Sequence, residues 1–283
     1  TNTDKRHMVD MYNGPINTSA VIDDARNKKV LIICNTIKSA QNIYAELKEK
    51  CGNIHMLHSH YTKEDRRMIE ESLTAFSDDV DAVGIWITTQ IVEASLDIDF
   101  DVLYTEMSTV DSLLQRLGRC NRHMRYVPIE ANVHIYIAEE INSKGNSEEI
   151  LNGDDVKSNK KKSISYIYDK DIYNRSVNIL KDYTGRPLAE REKNEYINRV
   201  YCTEELVDTA YYKNIKKALD NFQIINEAEY SKEEADRQFR NINSVTIIPD
   251  NIYNQNIDFI DNCLKIINDK YIKKDIRSIF TSK

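Results

Sequence analysis

The sequence predicts an α/β protein: a parallel sheet sandwiched by helices, followed by a mostly helical region. Three observations lead there. Residues 30–34, 54–58, 83–87, 102–105 and 132–137 are short apolar runs of the buried-strand type. Segments with helical spacing fall between them, so strand and helix alternate, which calls for right-handed βαβ crossovers. Beyond residue 162 the periodicity becomes almost entirely helical.

Residues 1–27 are polar and contain Asn13-Gly14-Pro15, a turn signal, and are expected to form a loose lead-in. The run 30–34 opens the sheet, within a lobe spanning 28–142. Residues 38–50 place Ala40, Ile43, Tyr44 and Leu47 at helical spacing. Thr62-Lys63-Glu64-Asp65 resembles a capping box with Asp in the Glu place, opening a helix that runs to Phe76. Residues 143–163, rich in Gly, Asn, Ser and Lys, read as a flexible linker and a domain boundary. Residues 164–283 read as an accessory region with helices at 164–183, 188–201, 204–222 and 252–272, interrupted by a β-like run at 245–249.

Composition narrows the function classes. The chain has 283 residues, 41% hydrophobic and 30% charged, with 7 Gly and 4 Pro, a globular balance. No run of 18 apolar residues exists, so no membrane-spanning helix is expected. The polar start, Thr1-Asn2-Thr3-Asp4, offers no signal region and no initiator Met, as a piece of a longer protein would. The five cysteines, at 34, 51, 120, 202 and 263, form no CxxC pair and suit a reducing, cytoplasmic setting. The net charge is −7, so any nucleic-acid contact must be local.

The chemistry concentrates in two stretches. Gln115-Arg116-Leu117-Gly118-Arg119-Cys120-Asn121-Arg122 puts three arginines in eight residues. On a continuous helix Gln115, Arg119 and Arg122 share a face, a clamp for a phosphate or a carboxylate. The alternative is a surface helix pairing its arginines with Asp or Glu. In parallel sheets ligands bind beyond the carboxyl ends of strands. There the sequence places Asn35-Thr36, His58-Ser59-His60, Thr88-Thr89-Gln90 and Ser108-Thr109. Hydroxyls, amides and helix N-termini suit a phosphate backbone, though turn-forming residues are also common there. His58, His60 and Asp65 form at most an incomplete metal set, and Lys160–Lys162 reads as a solvated loop run or a backbone contact.

These residues carry a family resemblance. Residues 88–99, TTQIVEASLDID, resemble motif V of superfamily 2 helicases. Residues 115–122 resemble motif VI, Q-R-x-G-R-x-x-R, and 31–36 resemble motif IV. The wording TTQIVEASLDIDFD followed by LLQRLGRCNR is similar to the type I CRISPR-associated helicase-nuclease family. LHSHYTKEDRRMIE is also similar to a segment of that family, with His60 where the family usually has Arg. FRNINSVTIIPD, at 239–250, resembles a later segment more weakly.

The resemblance implies a RecA-like, P-loop NTPase-like second helicase lobe and an ATP-dependent 3′–5′ single-stranded DNA translocase of CRISPR interference. Arg119 and Arg122 would be arginine fingers toward ATP, with Gln115 orienting the attacking water and Asp97 on the ribose. Asn35, Thr36, Thr88, Thr89 and Gln90 would touch the DNA backbone. Glu93 and Asp99 would shape the motif or pair with nearby arginines. No Gly-x-x-x-x-Gly-Lys-[Ser/Thr] run, no DExH-type run and no His-Asp pair occur in the sequence. Mg2+ and most of the ATP would therefore be held by a first RecA lobe outside this chain. That lobe, an HD nuclease domain and the CRISPR surveillance complex are the partners implied, and the chain alone is expected to be inactive. The other readings are a non-catalytic helicase-like binding module or another superfamily 2 helicase.

Overall fold

The computed structural model describes residues 5–94, 96–137, 167–225 and 250–259. The elements are β1 Met8–Asn13, α1 Thr18–Asp24, β2 Lys29–Ile33, α2 Ile37–Leu47, β3 Ile54–Leu57, α3 Lys63–Asp78, β4 Gly84–Thr88, β5 Val102–Glu106, α4 Val110–Leu117 and β6 Val133–Ile137. Then follow α5 Lys170–Leu180, β7 Arg186–Pro187, α6 Glu190–Val200, α7 Thr203–Leu206, α8 Ala210–Ile225 and α9 Asp250–Gln255. Seven strands form one sheet in the order β3-β4-β2-β5-β6-β1-β7. All pairs are parallel except the short β1–β7 pair.

The five strands expected from the apolar runs are all present, within a residue or two. Their residues are apolar on both sides because both faces are covered. Leu31, Ile33, Trp86, Leu103, Val133 and Ile135 point to one core, shared with Leu73 of α3 and Val110, Leu113 and Leu117 of α4. Val30, Ile32, Ile85, Ile87, Val102 and Tyr104 point to the other, against Val21 of α1 and Ala40 and Leu47 of α2. Thr62 caps α3 by accepting from the Asp65 amide, and its hydroxyl donates to the Asp65 carboxylate. The buried Lys29 ammonium donates to the Ser77 and Asp79 carbonyls, closing the C-terminal end of α3.

Two expectations about organisation are corrected. Residues 8–24 are not a loose lead-in: β1 runs parallel to β6 in register Val9↔Val133 through Asn13↔Ile137, and α1 follows with Asn17 as its N-cap. The signal was faint because only Val9 and Met11 alternate with Asp10 and Tyr12. The pairing partner also lies far along the chain. Nor does the region after 163 begin a separate compact unit. Thr1–Lys216 forms one unit and Lys217–Lys283 a second. β7 extends the sheet beyond β1, and Ile172, Tyr173, Leu180, Tyr183, Tyr196 and Val200 join the α4-side core.

The helix expected over 204–222 is two, α7 and α8. Residues 143–163 and the β-like run at 245–249 lie outside the described residues, as does most of 252–272. No described helix is long and apolar enough to cross a membrane.

Candidate functional site

The helix carrying the arginine stretch ends early. α4 stops at Leu117, with Gly118 as its C-cap. The chain then crosses beside the start of β5: the Phe100 amide donates to the Arg119 carbonyl at 3.0 Å, and the Asn121 amide donates to the Phe100 carbonyl at 2.7 Å. Asn121 sits buried at φ 46° and Met124 at φ 52°, both in the left-handed region. Gln115 is thus on α4 and exposed, whereas Arg119 and Arg122 lie on a loop. The shared helical face expected for these three residues is corrected. The local cause is Gly118, a poor helix residue placed where the chain must turn toward Phe100.

The loop nevertheless brings Arg119, Arg122 and Asp97 together. Arg122 Nε lies 3.0 Å from Asp97 Oδ1, and the Asp97 side chain is 74% exposed. Arg119 is half-buried and held by two backbone carbonyls, Nε to Val92 at 2.9 Å and Nη2 to Glu93 at 2.7 Å. Among the described residues no carboxylate lies within 4.0 Å of it. Burial first, then the neighbouring Arg122, pull its pKa below the ordinary arginine value. It remains a cation, since guanidinium does not deprotonate in proteins.

Asp99 closes the loop from beneath. This buried carboxylate accepts from the Arg122 amide at 2.7 Å and from the His123 amide and ring, and pairs with Arg125. On the opposite side, Arg6 Nη1 donates to the Arg122 carbonyl at 3.2 Å and His7 Nε2 donates to the Cys120 carbonyl at 2.7 Å.

The third arginine of the motif, Arg116, lies on α4. It is fully buried, and all five of its N–H donors are used: Nε to Glu93, Nη1 to Thr105 Oγ1 and the Glu106 carbonyl, Nη2 to Asn35 Oδ1 and the Tyr168 hydroxyl, at 2.7–2.9 Å. Glu93 also accepts from Ser112. The pairing expected for Glu93 and Asp99 is present. The available signal for Arg116 was its position: it follows Leu113 by three residues and precedes Leu117 by one, inside the apolar stripe of α4.

The strand-end residues divide. Thr88 is fully buried and donates to the Ile32 carbonyl. Asn35 spends its amide group on the Met107 carbonyl and its oxygen on Arg116 and Tyr168. Both side chains are committed inward, onto the protein's own groups. Thr36 caps α2 by accepting from the Ser39 amide, which leaves its hydroxyl hydrogen to donate outward. Gln90 donates to the Asn35 carbonyl, and both Thr36 and Gln90 are partly exposed. Thr89 lies beside them, mostly covered.

The histidines after β3 bond to their own neighbours. His58 stacks on Tyr61, its Nδ1 accepts from the His60 amide, and burial lowers its pKa, with His60 adding to the effect. Among the described residues no group of three or more His, Cys, Asp or Glu could hold a metal ion. Lys160–Lys162 lie outside the described residues.

A mostly parallel sheet with helices on both faces, with an arginine loop beside the segment after β4, has the architecture of a RecA-like lobe. Residues 26–125 match the family model described as Cas3-like, the C-terminal part of the CRISPR-associated nuclease/helicase Cas3. The chain is 27% identical over 262 residues to the CRISPR-associated nuclease/helicase Cas3 of Methanothermobacter thermautotrophicus, covering 87% of this chain and 28% of that relative. It superposes on T. fusca Cas3 crystallised with ATP at a TM-score of 0.56 and 18% identity, covering 79% of this chain and 27% of that one. A chain of a CRISPR RNA-guided surveillance complex in a pre-nicking state gives 0.57 and 20%, covering 79% and 28%. In sequence and fold, this chain resembles the C-terminal helicase half of Cas3. It spans between a quarter and a third of the length of these proteins.

Proposed function

We propose that this chain supplies the second RecA-like lobe of an ATP-dependent, 3′–5′ single-stranded DNA translocase acting in CRISPR interference. The observation that carries the reading is Arg119: a half-buried guanidinium fixed by two neutral carbonyls, with no carboxylate in direct ion-pair contact among the described residues, beside Arg122. A cation held this way is preorganised for an anion brought by another surface. The residues fit the phosphate tail of ATP in charge and in fork geometry. ATP supplies the phosphoanhydride whose hydrolysis drives the cycle.

The chain's own residues bind, orient and stabilise. Arg119 presents its remaining N–H groups toward charge that develops on the phosphate tail. Arg122 leaves Asp97 to do the same, and the freed Asp97 carboxylate accepts from a ribose hydroxyl. Gln115, exposed on α4, orients a water. Thr36, Thr89 and Gln90 take the DNA backbone. Mg2+ belongs with a first lobe carrying the phosphate loop, in the same protein or a separate subunit, as do the HD nuclease and the surveillance-complex contacts. The direction of translocation and the CRISPR role rest on the Cas3 likeness.

The test adds a first lobe and measures DNA-stimulated ATP turnover. Arg119→Lys and Arg122→Lys keep the charge and lose the planar fork. Each is expected to cut turnover more than tenfold with ATP affinity nearly unchanged, because the contact strengthens only in the transition state. Asp97→Asn is expected mainly to weaken ATP binding. Turnover at the parental rate in both lysine variants refutes the finger assignment.

A further inference from the structure

We infer that Tyr168 is a positioning residue for the DNA-contacting strand ends. This rests on the reading of Thr36 and Gln90 as DNA contacts. Tyr168 lies just before α5, outside every helicase motif of the sequence, yet its hydroxyl sits inside the motif network. It accepts from Arg116 Nη2 at 2.7 Å and donates to Asn35 Oδ1 at 3.2 Å. Asn35 Oδ1 also accepts from Arg116 at 2.9 Å, so three side chains close a triangle. The Asn35 amide and the Ser39 hydroxyl both donate to Glu106, and the Asn35 carbonyl receives Gln90 Nε2. Asn35 is therefore the joint that sets Gln90 and the Thr36 cap, and Tyr168 is the part of that joint brought by α5.

α5 cannot shift without moving the hydroxyl. Asp169 caps the helix, Ile172, Tyr173 and Leu180 are buried in the α4-side core, and Ser176 Oγ accepts from the Val110 amide at the start of α4. The Tyr168 ring stacks near Tyr173, with centroids 6.4 Å apart. The ring is thus held by packing, and the hydroxyl alone carries the positioning contact.

The experiment is Tyr168→Phe in the whole chain, with Tyr201→Phe as control, whose hydroxyl meets the exposed Asp111. Amide hydrogen exchange is read first. The inference expects exchange at Asn35 and Glu93 to quicken about tenfold in Tyr168→Phe, with other strands unchanged and no change in the control. With a first lobe added, the single-stranded DNA concentration giving half-maximal ATP turnover rises at least about threefold. Turnover at saturating DNA stays within about twofold, the reverse of the pattern for Arg122→Lys.

Unchanged exchange at Asn35 and Glu93 overturns the inference. So does faster exchange throughout the chain with a lowered melting temperature, since that marks packing alone. A parental chain that shows no DNA-dependent turnover with the first lobe refutes the functional reading instead. The exchange result still decides whether Tyr168 positions Asn35.

Discussion

His7 lets the arginine loop be probed by pH, and the size of the effect follows from its burial. The side chain is fully buried, with Nε2 on the Cys120 carbonyl and with Lys193 and Glu190 of α6 among the charges that act on it. Burial lowers its pKa from 6.5 to about 3, the Lys193 cation adds to this, and the Cys120 carbonyl opposes it. Arg6 and Glu190 act more weakly and in opposite directions. In the unfolded chain the imidazole titrates near 6.5. Between pH 6.5 and 3 the unfolded state therefore binds the proton and the folded state does not. The folded state is favoured fully above the unfolded pKa and loses that advantage as pH falls. From pH 7 to pH 5 the loss is about 2 kcal/mol, nearly one proton over one and a half pH units at 1.36 kcal/mol each. The substitution to make is His7→Gln, which keeps an N–H for Cys120 and removes the titration. The assay is urea unfolding at pH 7, 6 and 5, followed by circular dichroism. The parent should lose about 2 kcal/mol more than the variant across that range. Half-buried His134, whose pKa burial also lowers, leaves a residual slope in both. Equal slopes in parent and variant would refute the assignment of a neutral buried His7.

Other consequences can be checked separately. Arg116→Leu leaves Glu93 without its cation in a mostly buried site and should cost about 3–5 kcal/mol in denaturant unfolding; a loss below 1 kcal/mol would mean water reaches Glu93. Gly84→Ala should destabilise by about 1–3 kcal/mol, because Gly84 has φ 141° and a Cβ would lie 2.5 Å from the Asn53 carbonyl; an unchanged midpoint would contradict that backbone. The chain by itself should show no steady ATP turnover, and DNA-stimulated turnover abolished by Arg122→Ala would contradict that. Its affinity for single-stranded DNA should be weak and should fall with salt with a slope of about 1–2, as for two or three phosphates; tight, salt-insensitive binding would favour a protein-interaction module.

What the sequence could tell depended on how local the physics was. The strands of the lobe are legible because both faces of a parallel sheet are buried, which writes continuous apolar runs. β1 is not, because Asp10 and Tyr12 lie on its less covered side and its partner strand is β6. Thr88 illustrates the limit at the site. A threonine at a strand end is the right residue type for a phosphate contact, and only the fold shows its hydroxyl turned onto Ile32. The break at Gly118 was visible as a glycine, but the path that carries Arg119 onto the Val92 and Glu93 carbonyls depends on the crossing with Phe100, nearly twenty residues earlier. Tyr168 left no local signal at all, since its partners Arg116 and Asn35 are distant in sequence.

The two clusters are joined by a short physical route. Asn35 touches Arg116 at 2.9 Å, Arg116 touches the Glu93 carboxylate at 2.7 Å, and the Glu93 carbonyl receives Arg119 at 2.7 Å. Each link is charged or charge-assisted at one end, and Arg116 has no spare donor with which to re-pair. A displacement of Asn35 therefore cannot be absorbed within the Arg116 shell without leaving a buried N–H unmet, at about 1–3 kcal/mol. The network therefore resists that displacement, and burial of one arginine is what holds the partly exposed strand end and the half-buried arginine of the loop in one frame. Its absence from the surface is its contribution to the site.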